Sequence, residues 1–252
     1  MPIPSIGHQE NYEVRAYDID AHKRMTAPAL LRILNEAAMQ HVLKLKLSVL
    51  DLEPHQIGWV LLRLEVRINR LPDLGEKIQI RTTPSGFERA FTYRDYYVLD
   101  EAGEVIATAA STWILMNIET RRPARIPEWI VQQMPDFPAD EDCLPRPAAR
   151  LETWPEELGH EQSHRVGWYD LDFNWHLSNT HYLRLLFDSI PATFLRNHFP
   201  TRIQIHYKQE AQLEDTVNSQ TGQVGEQHFR HRLMRDDQVL AEGESTWQAI
   251  DS

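Results

Sequence analysis

Tyr17-Asp18-Ile19-Asp20 returns as Tyr169-Asp170-Leu171-Asp172, 152 positions further along (169 against 17). On that register Asp20 aligns with Asp172, His22 with Asn174, Arg24 with His176 and Leu30 with Tyr182. Further out, Leu64-Glu65-Val66-Arg67-Ile68 matches Ile203-Gln204-Ile205-His206-Tyr207 at an offset of 139 (203 against 64). Asp73-Leu74-Gly75-Glu76-Lys77-Ile78 then faces Gln212-Leu213-Glu214-Asp215-Thr216-Val217. Ser111-Thr112-Trp113 matches Ser245-Thr246-Trp247 at 134 (245 against 111). The offset shrinks because the second copy is shorter between its elements. Two copies of this length describe a duplicated domain rather than a solenoid.

Each copy reads as a strand, a long helix and a run of strands. Residues 11–17 alternate as a strand. Pro28 suits a first helical turn. From Ala29 to Leu47 the apolar residues Leu30, Leu31, Leu34, Ala38, Val42 and Leu45 recur near the helical period. Trp59–Asn69, Lys77–Thr83, Phe87–Leu99 and Glu104–Asn117 read as strands, the last two joined by Asp100-Glu101-Ala102-Gly103 as a hairpin turn. The expected class is α+β, with one long helix on one face of an antiparallel sheet in each half. The boundaries follow: residues 1–134 form the first unit, a proline-rich linker with an acidic run at Asp140-Glu141-Asp142 covers 135–158, and 159–252 form the second unit.

Composition narrows the function classes. The chain has 252 residues, 42% hydrophobic and 25% charged, and can bury full cores. Its net charge of −11 argues against broad nucleic-acid binding. One cysteine, Cys143, excludes an internal disulfide framework and suits a reducing compartment. No apolar run approaches a membrane span, and the first residues do not read as a signal peptide. A bacterial cytoplasmic protein is expected.

The second copy holds the chemistry. Asp172, Asn174 and His176 alternate, and in an extended chain they would share one face. Ser178 and Asn179 follow as N-cap residues, and Tyr182, Leu185, Leu186 and Ile190 continue at helical spacing up to Pro191. A carboxylate, an amide and an imidazole at the mouth of a helix suit hydrolysis, with the helix dipole beside a developing oxyanion. The plainer alternative is a solvated polar loop. Asp170-x-Asp172-x-Asn174 begins like a calcium loop, but Trp175 and His181 stand where that motif needs Gly and Glu. A zinc site has neither an HExxH motif nor a cysteine pair. No metal or cofactor is expected.

With the repeat, this triplet and the strand at Ile203 on the page, the chain resembles the acyl-acyl carrier protein thioesterases of plant plastids and bacteria. The segments that carry the resemblance are Trp59-Val60-Leu61-Leu62-Arg63, Ala110-Ser111-Thr112-Trp113 with Arg121-Arg122-Pro123, and Asp172 through Tyr182. It extends from about Tyr12 to Trp247. The resemblance implies a double (tandem) hotdog fold and hydrolysis of the thioester between a fatty acyl chain and the phosphopantetheine arm of acyl carrier protein. The family's Asp, Asn and His fall on Asp172, Asn174 and His176. Its acidic residue followed by Cys falls on Glu210-Ala211, so the acid is present and the thiol is absent. Water attack or a carboxylate nucleophile is what remains. Asp172 either orients the site or attacks, and Glu210 with His176 activates water. Leu31, Leu34, Ala38, Val60, Leu62 and Trp113 are the implied walls of the acyl pocket, and Asn179 lies at the oxyanion end. Each wall residue on its own reads equally as ordinary core. An acidic carrier would dock on local basic residues, for which Arg184, Arg196, Arg202, Lys208 and Arg230-His231-Arg232 are candidates. A homodimer is a compatible assembly. The other readings are an acyl-CoA thioesterase and a non-catalytic acyl-binding hotdog protein.

Overall fold

The computed structural model describes residues 7–134, 136–151, 154 and 159–250. The chain forms two compact units, Met1–Pro147 and Ala148–Ser252. Parts of the expected linker, residue 135 and residues 152–153 and 155–158, lie outside the described residues.

In the first unit the strands are β1 (His8–Glu13), β2 (Ile57–Ile68), β3 (Lys77–Glu88), β4 (Phe91–Leu99), β5 (Val105–Asn117) and the two-residue β6 (Arg122–Pro123). Its helices are α1 (Ala27–Lys44), the short α2 (Val49–Leu52) and α3 (Glu128–Gln133). The sheet runs β1-β3-β4-β5-β2, antiparallel throughout, with β6 on β5. Thr26 caps α1 by accepting the Ala29 amide at 3.1 Å, and Pro28 sits in the first turn. The helix buries Leu30, Leu31, Ile33 and Leu34 toward β1 and β3, each worth roughly 2 kcal/mol. A further cluster joins Leu47, Leu52, Ile57, Leu115, Ile126 and Ile130 beyond the helix end.

Three expected boundaries move, each for a local reason. The first strand ends at Glu13, because the Arg15 amide donates to the Asp18 carboxylate and the Asp18 amide to the Arg15 carbonyl, turning the chain. The single strand expected over Phe87–Leu99 is two, since Arg89 takes a left-handed backbone (φ 59°) and folds a hairpin between β3 and β4. Residues 142–147, expected in the linker, pack against the first sheet. The Leu144 amide donates to Asp95 at 2.8 Å, and Arg146 donates to Ser85 Oγ at 2.7 Å and lies over the Tyr93 ring.

The second unit has β7 (His160–Arg165), α4 (Asn179–Asp188), the short α5 (Ala192–Leu195), β8 (His198–Tyr207), β9 (Thr216–Gly225), β10 (His228–Arg235) and β11 (Gln238–Ala249). Its antiparallel order is β7-β9-β10-β11-β8, with α4 against β9 and β10. This is the strand order of the first unit, element for element. Even small devices recur: the Trp113 indole donates to Ser111 Oγ at 2.8 Å, and Trp247 to Ser245 Oγ at 2.7 Å. No helix among the described residues is long and apolar enough to cross a membrane.

Candidate active site

The loop between β7 and α4 is built by Asp172. Its Oδ1 accepts the Asn174 amide at 2.8 Å and the His176 amide at 3.4 Å. The Asp172 amide donates to the His176 carbonyl at 2.8 Å, and the Trp175 amide to the Asp172 carbonyl at 3.1 Å. Leu171 and Leu177 close the loop as a bridge, and Trp175 turns it with φ 63°. Residues 172–176 are therefore a tight turn, and the extended chain with three side chains on one face does not form. A short acidic side chain that can bond the amide two residues on stabilises this bend better than a strand.

The first unit makes the same turn. Asp20 Oδ1 accepts the His22 amide at 2.8 Å, the Asp20 amide reaches the Arg24 carbonyl at 3.0 Å, and Lys23 takes φ 62°. Asp172 thus has a structural role that exists without any chemistry beside it.

What differs is the pair this scaffold presents. In the second unit the Leu177 amide donates to the Ala211 carbonyl at 2.8 Å, and His176 bridges Gln212. That pairing sets Glu210 beside His176, Oε2 to Nε2 at 3.4 Å, with side chains 34% and 23% exposed. The first unit has the same register, Met25 amide to Pro72 carbonyl at 2.8 Å and Arg24 bridging Asp73. It presents Arg24 and Leu71 in the corresponding places, so it has no such pair.

Glu210 is held from behind. Arg235 Nη1 donates to the Glu210 carbonyl at 3.3 Å and to Asp215 at 2.6 Å, while Asp215 accepts the Gln212 amide at 2.8 Å. The Tyr182 hydroxyl donates to the Gln209 carbonyl at 3.1 Å, and burial pushes that phenol well above its ordinary pKa. Sequence reading did not single out Arg235, Asp215 or Tyr182 as supports. The repeat carried no signal for Arg235, since Arg70, which grips Glu76 in the first unit, aligns with Gln209.

The remaining candidates fall in several places. The Asn174 side chain is exposed on the loop. Asn179 opens α4, and its carbonyl accepts the Tyr207 hydroxyl at 3.3 Å. The Ser178 amide is committed to the Asp170 carbonyl at 2.8 Å and is not available to an oxyanion. Ala211, at the position where the resemblance implies a Cys, is fully buried. Cys143 belongs to the first unit, and burial raises its thiol pKa. Leu31, Leu34 and Ala38 lie on the buried face of α1, and Val60, Leu62 and Trp113 are half-buried on β2 and β5.

The candidate docking cations are largely engaged. Arg184 faces Asp170 and Asp188, Arg202 pairs with Glu244 at 2.7 Å, and Lys208 and Arg232 share Glu242. Arg230 pairs with Glu244 at 2.9 Å and is buried, as is His231, so neither can meet a partner at the surface. Among the described residues no group of three or more His, Cys, Asp or Glu is placed to hold a metal ion.

Residues 6–134 match the family model for the acyl-ACP thioesterase N-terminal domain, and residues 155–249 that for the C-terminal domain. The chain is 26% identical over 260 residues to a chloroplastic palmitoyl-acyl carrier protein thioesterase of Gossypium hirsutum, covering 95% of this chain and 63% of that one. It is 28% identical over 280 residues to an oleoyl-acyl carrier protein thioesterase of Arabidopsis thaliana, covering 96% and 76%. Several of these plant relatives are thus substantially longer than the present chain. In fold, it superposes on an acyl-ACP thioesterase from Bacteroides thetaiotaomicron with a TM-score of 0.85 at 22% identity, over 95% of this chain and 97% of that one. A 12:0-ACP thioesterase from Umbellularia californica gives 0.87 at 19%, over 99% and 100%.

Proposed function

We propose that this chain, which belongs to the acyl-ACP thioesterase family, hydrolyses the thioester joining a fatty acyl group to the phosphopantetheine arm of acyl carrier protein and releases free fatty acid. The observation that carries the reading is the His176–Glu210 contact at 3.4 Å, present in one of two units that share strand order, loop turn and bridge register. A shared scaffold explains Asp172; it does not explain why one copy alone pairs an imidazole with a carboxylate.

Water attacks the thioester carbonyl carbon and gives its proton to the His176–Glu210 pair. Nε2 faces Glu210, which leaves Nδ1 to take the proton. The exposed Asn174 amide orients water or carbonyl. The amino end of α4, opened by Asn179, lowers the energy of the tetrahedral oxygen. The C–S bond then breaks, and His176 returns the proton to the departing thiolate. A thiolate leaves easily, so no covalent enzyme intermediate is needed. Asp172 acts by holding the turn, because its Oδ1 already accepts two backbone amides. Leu31, Leu34, Ala38, Val60, Leu62 and Trp113 line the acyl pocket in this reading, which needs no cofactor.

The same reading takes the architecture as a double hotdog, supported by the identical strand order and helix placement of the two units. It places the protein in the bacterial cytoplasm and, as an assembly, in a homodimer. The test is release of free fatty acid from a series of acyl carrier protein thioesters, with acyl-CoA in parallel. Faster turnover of the carrier-bound esters supports the function. Equal or faster turnover of acyl-CoA would move the assignment to that carrier, and turnover of neither would remove the enzyme.

A further inference from the structure

The loop that carries His176 also carries a group of exposed rings. Trp168 is 57% exposed, Tyr169 93%, Phe173 59% and Trp175 64%. Trp168 and Trp175 meet edge to face with centroids 5.5 Å apart, and Tyr169 and Phe173 are exposed on the same loop. Contiguous exposed aromatic surface on a folded domain is costly and marks a contact site.

The first unit shows what the fold itself requires here. Its equivalent loop makes the same turn, with an aspartate accepting the amide two residues on and a left-handed residue at the matching position. At the positions matching Trp168, Phe173 and Trp175 it has Ala16, Ala21 and Lys23, and only Tyr169 has an aromatic counterpart, Tyr17. Three large rings are therefore unnecessary for the turn, and a tryptophan in a left-handed conformation is an uncommon choice for it. They occur in the copy that has the His176–Glu210 pair.

We propose that Trp168, Tyr169, Phe173 and Trp175 form a subsite for the pantetheine arm of the thioester substrate, beside the loop residue that handles its carbonyl. The inference rests on the proposed thioesterase reading and adds the part of the substrate that is gripped. The arm is uncharged along most of its length, with two planar amides and a gem-dimethyl carbon. Amide planes and methyl groups pack well on aromatic faces, and an uncharged contact is insensitive to the −11 charge of the chain.

The test transplants the first unit's side chains, which are known to suit the turn: Trp168→Ala, Phe173→Ala and Trp175→Lys together, with Tyr17→Ala as the control. Binding of a non-hydrolysable acyl carrier protein thioether is measured by titration, alongside kcat and KM for carrier-bound, CoA-bound and N-acetylcysteamine esters of one acyl chain. The last of these lacks the pantoyl end of the arm. The expected result is a loss of about tenfold in thioether affinity and in kcat/KM for both arm-bearing esters, taken mainly in KM, with less than about twofold on the truncated ester. Tyr17→Ala leaves all values unchanged. An equal loss on all three esters would make the rings structural and overturn the proposal, as would unchanged thioether affinity. A loss confined to the carrier-bound ester would assign the rings to the carrier's protein surface and overturn it too. If the wild type hydrolyses none of the esters, the enzymatic reading fails, while the titration still decides whether the rings bind the arm.

Discussion

Asp172→Asn separates a carboxylate that builds the loop from one that attacks the substrate. Asparagine keeps an oxygen in the place of Oδ1, so it can still accept the Asn174 amide at about the present 2.8 Å. The His176 amide at 3.4 Å is a weak second partner. A charge-assisted bond contributes roughly 1.5–3 kcal/mol and a neutral one roughly 0.5–1.5, so the exchange costs about 1 kcal/mol. That corresponds to a fall in Tm of roughly 2–4 °C for a protein of this size. The loop survives, so kcat/KM falls less than about tenfold, whereas loss of a nucleophile costs on the order of 10⁴-fold or more. Asp20→Asn in the first unit supplies the comparison: the same loss of Tm with no loss of turnover. The assay is fatty acid release beside thermal unfolding of each variant. A folded Asp172→Asn protein with turnover reduced by several orders of magnitude would refute the structural role and make Asp172 a reacting group.

Arg235→Met removes the grip on Asp215 and on the Glu210 carbonyl, and is expected to lower kcat/KM about tenfold while binding of the acyl chain holds; Arg235→Lys should recover part of the loss. Burial holds His41 and His231 neutral, both pushed down from 6.5 to about 3. The unfolded chain binds protons at these sites between those two values and the folded chain does not. Stability is therefore full above about pH 6.5 and is lost as pH falls toward 3. Urea midpoints at pH 7.5 and 5 measure it, and His231→Gln should flatten the dependence; an unchanged slope would contradict the burial argument. Val60→Trp adds bulk at a half-buried position of β2 that the proposed function places on the acyl pocket, and is expected to shift hydrolysis toward shorter acyl chains, read from the product distribution.

The duplication was legible in the sequence because its markers serve the backbone. Asp18, Asp20, Ser111 and Trp113 recur as Asp170, Asp172, Ser245 and Trp247 since each closes a turn or fills a hydrogen bond in both units. The long helix and most strands followed from period alone. The triplet was expected on an extended segment, and that conformation does not form. Alternation suggested an extended segment, but local bonding from Asp172 bends it, and periodicity does not register a side chain that competes for backbone amides. The His176–Glu210 contact crosses 34 positions (210 against 176) and depends on the pairing of Leu177 with Ala211, which no local pattern reveals. It entered through the family resemblance. Among the docking candidates Arg230 and His231 are buried at adjacent positions of β10, and burial on both faces of a strand is not legible from its charges alone.

A double-mutant cycle on His176 and Glu210 tests the central claim most directly. Fatty acid release from one acyl carrier protein thioester is measured for the wild type, His176→Ala, Glu210→Gln and the double variant, each checked for unchanged Tm. If the two residues act as one proton-transfer unit, each single variant loses about 10²–10⁴-fold in kcat/KM and the double loses little more than the worse single. Losses that multiply would mean that the two side chains act independently, and full activity in Glu210→Gln would remove the pair from the chemistry.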